Sequence, residues 1–117
     1  MGTYNIYVPT EKGKMKIESS QILYIEASLN LSRVTFINNE RLELLLTIGE
    51  VEHLLFNHGF FRFNNKYLVN LKYVEVVFPS DASKVVLENG KEIFVNHNKK
   101  DELFESLKQV YELHEIA

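Results

Sequence analysis

Short apolar and β-branched runs, separated by turn residues, constrain this chain most. They recur at a spacing of roughly 8–12 residues, which is typical of a mostly-β domain. Eight segments fit this pattern: Tyr4–Val8, Lys14–Glu18, Ile22–Ala27, Arg33–Ile37, Arg41–Leu46, Tyr67–Phe78 (with a break inside it), Lys84–Leu87 and Glu92–Asn96.

Turn residues lie where these segments must reverse direction. Asn38-Asn39 predicts a tight turn because asparagine tolerates left-handed backbone angles. Asn89-Gly90 is the strongest hairpin signal in the chain, and Pro79-Ser80-Asp81 predicts a looser turn. The chain therefore reads as a series of antiparallel strands.

Two segments have helical rather than strand patterns. Thr47 and Glu50 have the spacing of a capping box, which predicts a short helix from Thr47 through Leu55 that Gly59 helps to end. Near the C-terminus, the 3–4 spacing of Leu103, Phe104, Leu107, Val110 and Tyr111 predicts a second helix over residues 99–116. As a purely structural alternative to a binding role, Asn98 could cap the N-terminus of this helix.

The composition fits one domain over residues 1–117. The chain is 45% hydrophobic, enough for a single core, and no apolar run approaches the ~18 residues that span a bilayer. Cysteine is absent, which excludes disulfides and thiolate chemistry and fits a cytoplasmic location.

The charge is unevenly distributed. The net charge is −3, but residues 101–117 carry five acids against one lysine, so that the remaining residues carry +1. A negative net charge argues against binding to nucleic acid, which is itself negative. This argument does not apply here, because the body of the domain is nearly neutral.

The sequence contains no recognisable catalytic or metal-binding pattern. None of its histidines, His53, His58, His97 and His114, has a partner at metal-ligand spacing. No nucleophile elbow, P-loop or dinucleotide fingerprint is present. We therefore predict that the chain is not an enzyme and holds no cofactor or metal.

Three polar loops mix amides or hydroxyls with a base and lack acids. They are Ser28–Arg33, Asn64–Lys66 and Asn96–Lys100. Asparagine pairs with adenine, arginine with guanine, and lysine neutralises phosphate, so these loops are candidates for DNA binding. Because asparagine and serine are also ordinary turn residues, composition alone leaves a purely structural role open.

A resemblance to a known family lies in three stretches of the sequence: QILYIEASLNLSRVTF, LTIGEVEHLLFNHGFFRFNNKYLVNLKYVEVV and VVLENGKEIFVNHNKKDEL. In their order and spacing they resemble the LytTR domain, a DNA-binding domain of many bacterial two-component response regulators. The resemblance covers about residues 14–107. It implies an elongated domain of small antiparallel sheets, with one short internal helix and a C-terminal helix.

The resemblance also implies that three loops enter successive major grooves of double-stranded DNA. Carried over by position, Phe60, Phe61 and Leu68 would anchor the second loop. The implied DNA contacts are Asn30, Ser32, Arg33, Asn64, Asn65, Lys66, His97, Asn98, Lys99 and Lys100. Two copies on tandem repeats are expected, because so small a domain buries little DNA surface alone.

The chain departs from the usual family pattern in two loops. Family members commonly have His-Arg-Ser or His-Asn-Ser where this chain has Asn64-Asn65-Lys66, and Ser-Arg-Arg where it has Asn96-His97-Asn98. Two usual arginines are thus missing, which predicts weaker phosphate attraction and a shallower salt dependence than in a more basic relative. Because all three loops contain asparagine, a preference for adenine-containing sites is also expected.

The family usually joins this domain to an N-terminal receiver or membrane segment. The residues before Lys14 are too few for a receiver.

The alternative function is a protein-interaction module that has lost DNA binding and associates with a partner or a second copy through the C-terminal helix.

The predicted core is mostly aliphatic and aromatic, and Tyr24 and Tyr67 are expected at its edge rather than as phosphate donors. Its members are Phe36, Leu44, Leu46, Leu54, Leu55, Phe60, Phe61, Leu68, Val74, Val76, Val86, Ile93, Phe104 and Leu107.

Overall fold

The computed structural model describes residues 4–78 and 84–111, which form ten strands and two α-helices. The helices are α1 (Ile48–Leu54) and α2 (Lys100–Val110). The strands are β1 (Asn5–Thr10), β2 (Gly13–Glu18), β3 (Ile22–Ser28), β4 (Leu31–Phe36), β5 (Arg41–Leu44), β6 (Phe60–Arg62), β7 (Tyr67–Asn70), β8 (Val74–Val77), β9 (Lys84–Leu87) and β10 (Glu92–Phe94).

The strands form three small antiparallel sheets. One holds β1 and β2, the largest has the order β5-β4-β3-β7-β6, and the third has the order β10-β9-β8. The described residues extend over 51 × 31 × 24 Å, so the domain is longer than it is wide. The predicted mostly-β fold with one internal and one C-terminal helix is confirmed.

The five-stranded sheet separates two hydrophobic cores. Neighbouring residues of a strand point to opposite faces, and Leu68 lies in the first core while Val69 lies in the second. The first core is closed by the β1-β2 hairpin and α1, and the second by the three-stranded sheet and α2. An irregularity of pairing between Ile22 and Tyr24 turns both Leu23 and Tyr24 toward the second core.

The capping box of α1 and the turns at Asn38-Asn39 and Asn89-Gly90 are confirmed. The hydroxyl of Thr47 accepts from the Glu50 amide, and the Glu50 carboxylate accepts from the Thr47 amide, as a capping box requires. Asn39 and Gly90 have φ values of 69° and 88° in their turns. The segment from Tyr67 to Phe78 is broken by a 3₁₀ turn at Leu71–Tyr73. The predicted turn at residues 79–81 lies outside the described residues.

Several predicted element boundaries are wrong, and one strand was not predicted. The fourth strand begins at Leu31 rather than Arg33, and Phe60–Arg62 forms a strand that the pattern did not reveal. Asn98 does not cap α2, because residues His97–Lys99 form a 3₁₀ turn and the N-cap is Lys99 without a side-chain hydrogen bond. The helix is described to Val110, and residues 112–116 of the prediction lie outside the described part of the chain.

Most predicted core residues are buried or packed against a core, but Leu54 and Val76 are 36% and 41% exposed, and Val86 is only half-buried and belongs to neither core. Leu54 lies off the stripe of α1 that Ile48, Val51 and Leu55 turn toward the first core. Val76 lies on β8, an edge strand of its sheet. The prediction also missed Phe63 and Leu71, which are 0% and 1% exposed. Tyr24 is buried and Tyr67 packs against the second core, as predicted.

Candidate nucleic-acid interface

The three polar loops lie side by side at one end of the five-stranded sheet. We call them loop 1 (residues 28–31), loop 2 (residues 63–66) and loop 3 (residues 95–100, which includes the first residue of α2). The amide of Ala27, just before loop 1, donates to the carbonyl of Lys66 in loop 2 at 2.8 Å. The amide of Asn96 in loop 3 donates to the carbonyl of Phe63 in loop 2 at 3.0 Å. Loop 2 is therefore bonded to a neighbour on each side.

Loop 1 exposes a shorter tip than the sequence implied. Leu29 and Asn30 are exposed, whereas Ser32 and Arg33 belong to β4. Ser32 is completely buried, and its hydroxyl donates to the carbonyl of Leu46 at 2.9 Å. This bond secures the chain between β5 and α1, and a buried hydroxyl cannot reach DNA. We therefore leave Ser32 out of the candidate contacts.

Arg33 lies between two carboxylates. In the register of the sheet it is opposite Glu26 on β3 and Glu43 on β5. Its guanidinium nitrogens are 3.9 Å and 3.7 Å from carboxylate oxygens of these residues, and 32% of its side chain is exposed. Both carboxylates attract the same cation, so the charge of Arg33 is partly neutralised within the sheet.

Loop 2 is organised from within by Phe63 and Asn64. The Phe63 ring is completely buried in the second core and edge-on to Phe61, with 5.5 Å between the ring centroids. The Asn64 side-chain oxygen accepts from the amides of Lys66 and Tyr67 at 2.7 and 3.0 Å. Its side-chain nitrogen donates to the Phe94 carbonyl at 2.7 Å. The Asn64 amide is thus engaged in holding the loop, and its neighbours form the tip.

Arg62 connects loop 2 to α1. It donates to the Asn64 carbonyl at 2.8 Å and to the Asn65 carbonyl at 3.1 Å. It also forms a 2.8 Å ion pair with Glu52 of α1. A planar guanidinium can satisfy three acceptors at once, which a lysine could not do with fixed geometry. Arg62 therefore holds in place the backbone of loop 2, which carries the exposed Asn65 and Lys66.

Loop 3 carries the remaining candidate contacts. His97 and Asn98 are exposed, and Lys100 is half-buried at the first residue of α2. Lys99 is also half-buried, and its ammonium donates to the Arg62 carbonyl at 3.4 Å, which adds a second link between loops 2 and 3. Within the described residues, no ion pair involves Lys66, Lys99 or Lys100.

A cationic and aromatic cluster beside loop 2 was not predicted. The ammonium of Lys91 lies 5.2 Å from the centroid of the Tyr67 ring and 5.8 Å from that of Tyr24. The hydrogen bond to Tyr67 raises the pKa of Lys91, against a smaller opposing effect of burial. The ammonium of Lys66 lies 5.6 Å from the Tyr67 centroid from the tip side. No sequence pattern indicates this cluster, because Lys91 follows the Asn89-Gly90 turn, which is distant in sequence from Tyr24 and Tyr67.

The described residues also bear on metal binding and on membrane insertion. No group of three or more histidine, cysteine, aspartate or glutamate side chains in residues 4–78 and 84–111 could hold a metal ion, and His114 lies outside these ranges. No helix in the same part of the chain is long and apolar enough to cross a membrane.

Most of the apolar stripe of the C-terminal helix packs against the domain's own second core. Leu103 and Leu107 are buried in the second core, and Phe104 packs against it. The hydroxyl of Tyr111 donates to the carbonyl of Lys72, so the end of the described chain is bonded to the body of the domain. Only Val110 and Tyr111 of the predicted stripe are exposed, at 38% and 36%.

Comparisons with known proteins agree with this architecture. The chain is similar to a solved LytTr DNA-binding domain, from a Bacillus cereus protein assigned as a methyl-accepting/DNA response regulator. The TM-score is 0.72 at 20% sequence identity, over 91% of this chain and 98% of the other. A search of curated proteins found no match. The model of the LytTr DNA-binding domain matches residues 12–108, and the chain therefore belongs to that family.

Proposed function

We propose that this domain binds double-stranded DNA in a sequence-specific manner, through loops 1, 2 and 3, as the output domain of a bacterial transcription regulator. The observation that carries the proposal is that loop 2 is hydrogen-bonded on one side to Ala27, just before loop 1, and on the other side to Asn96 of loop 3. Amides and lysines on loops that are already held together bind DNA at a lower entropic cost than those on loops that must order on binding.

The individual contacts follow from exposure and chemistry. Asn30, Asn65 and Asn98 are exposed amides that can pair with adenine in the major groove. Lys66, Lys99 and Lys100 supply phosphate contacts, and His97 contributes a further donor beside them. Asn64 and Arg62 act as positioning residues, and Arg33 contacts DNA only to the extent that it leaves Glu26 and Glu43.

We further propose that two copies bind tandem repeats. A single module of this size buries about 600–1,000 Å² on DNA, which is modest for a specific complex. Repeats separated by one helical turn, about 34–36 Å, present the same face of the duplex to both copies. Binding should therefore weaken when about five base pairs are inserted between the repeats and recover when about ten are inserted.

A selection from random duplexes, followed by fluorescence-anisotropy titration, tests the proposal. The wild type should select adenine-containing repeats and bind them far more tightly than a shuffled duplex. The double variant Asn65→Ala/Lys66→Ala should lose at least tenfold in affinity, because it removes one base contact and one phosphate contact. The control variant Lys72→Ala changes an exposed lysine in the 3₁₀ turn beyond the far end of β7 from loop 2, and should bind as the wild type does. Equal binding of selected and shuffled duplexes would refute the proposal.

A further inference from the structure

Leu29 at the tip of loop 1 is unlike every other apolar residue of the described chain. Its side chain is 100% exposed, the most of any large hydrophobic residue in residues 4–78 and 84–111. Its φ is +57°, in the left-handed region. The protein thus places a leucine where burial contributes nothing to folding and where the backbone disfavours a branched side chain.

The other left-handed positions show what the fold alone would prefer. Apart from glycines, the described residues with positive φ are Leu29, Asn39 and Asn57. Asparagine tolerates this conformation because its short amide bonds to the local backbone, and leucine has no such compensation. Asn30, the next residue, would serve as an ordinary turn residue at this position. Folding therefore does not account for Leu29.

We propose that Leu29 reads thymine, by packing its side chain against the C5-methyl group in the major groove. This inference rests on the proposed DNA binding of loops 1 to 3. The thymine methyl is the apolar group that base edges present in the major groove, and apolar side chains contact it in specific complexes. An exposed leucine next to an exposed asparagine thus matches a thymine beside an adenine-containing pair.

The position of loop 1 supports this assignment. The hydrogen bond from Ala27 to Lys66 lies two residues before Leu29, so the loop 1 tip emerges next to Asn65 and Lys66 of loop 2. β3 and β4 lead directly into and out of the turn, with Ser28 paired to Leu31, so that the tip is held by two strands. Leu29 therefore lies at the same end of the sheet as Lys66, the proposed phosphate contact, at the tip of a two-stranded hairpin.

Replacement of single thymines by deoxyuridine tests the inference, because it removes only the methyl group. The selected duplex is synthesised with each thymine replaced in turn, and the full chain is titrated by anisotropy. At one thymine per repeat, the wild type should lose about fourfold in affinity, the factor that corresponds to one buried methyl group. Leu29→Gly should bind the thymine duplex about fourfold or more weakly and show no further loss with deoxyuridine.

Two additional variants separate base reading from a structural role. Leu29→Met keeps an apolar side chain and should retain the sensitivity to deoxyuridine. Ile37→Ala removes an exposed apolar group at the opposite end of β4 and should leave the affinity unchanged. Since glycine relieves the left-handed strain, Leu29→Gly should melt at the wild-type temperature or above it.

Each outcome decides between the two levels of proposal. If the wild type binds its selected site but no thymine is sensitive to deoxyuridine, or if Leu29→Gly retains the sensitivity, the role of Leu29 is refuted while DNA binding stands. If the wild type binds no duplex selectively, the proposed function fails and the thymine assignment fails with it.

Discussion

At the residue scale, two adjacent asparagines of loop 2 have different environments. Asn64 makes three hydrogen bonds through its side chain, to Lys66, Tyr67 and Phe94, whereas Asn65 is exposed at the tip. Asn64→Ala should therefore lower the free energy of unfolding by about 1–2 kcal/mol and weaken DNA binding as the loop loosens. Asn65→Ala should weaken DNA binding by about tenfold without a change in stability.

Urea unfolding and anisotropy titration of the two variants, side by side, check this prediction. They form a matched pair, since the same side chain is truncated at neighbouring positions. If Asn64→Ala proved as stable as the wild type, the internal role of its amide would be refuted. Loss of stability in Asn65→Ala would show that the tip residue also supports the fold.

The sequence predicts where the polar loops of the candidate site lie, but it does not predict which way each side chain points. Composition locates the polar loops, because a run such as Asn64-Asn65-Lys66 is rarely buried as a whole. It cannot say that Ser32 points into the sheet or that Arg33 lies between Glu26 and Glu43, since both depend on the register of three strands. A one-residue shift of that register would reverse every side chain.

At the scale of elements, the sequence predicts those that are specified by a few neighbouring residues. It does not predict those that depend on pairing with a distant strand. The capping box of α1 and the Asn89-Gly90 turn are specified within four residues, and both were predicted. The strand β6 is only three residues long and is recognised by its pairing with β7, so that no local pattern reveals it. The buried Phe63 follows this strand and was missed for the same reason.

The helix α1 braces loop 2 although it carries none of the proposed DNA contacts. Glu52 pairs with Arg62, which in turn holds the carbonyls of Asn64 and Asn65. Glu52→Ala should therefore reduce DNA affinity by about three- to tenfold, even though it removes a negative charge that DNA repels. Arg62→Ala should reduce affinity further, because it also releases the two carbonyls.

A double-mutant cycle in an anisotropy titration measures this brace. The losses from Glu52→Ala and Arg62→Ala should not add, with the double variant close to Arg62→Ala alone. Glu105→Ala, which breaks the exposed pair with Lys108 on α2, serves as the control and should leave binding unchanged. If Glu52→Ala instead bound DNA more tightly, electrostatic repulsion would outweigh the brace and the positioning role would be refuted.

At the scale of the whole molecule, the net charge of −3 conceals an uneven distribution. The two arginines near the loops, Arg33 and Arg62, have carboxylate partners. Among the described residues, Lys66, Lys99 and Lys100 of the loops have no ion pair, and Lys91 beside loop 2 lies against the Tyr67 and Tyr24 rings instead. DNA attraction should therefore come from about three lysines on one surface, rather than from the overall charge.

This distribution predicts a shallow and site-specific salt dependence. Three phosphate contacts correspond to a slope of about −2.7 in a plot of log affinity against log salt, or roughly a 40-fold loss between about 50 and 200 mM salt. Lys66→Ala and Lys100→Ala should each reduce the magnitude of the slope by about 0.9, because each removes one released counterion. Lys72→Ala removes the same charge away from the loops and should leave the slope unchanged. Anisotropy titrations at four or five salt concentrations provide the slopes. Equal effects of all three substitutions would mean that only total charge matters, and the assignment of phosphate contacts to loops 2 and 3 would then be wrong.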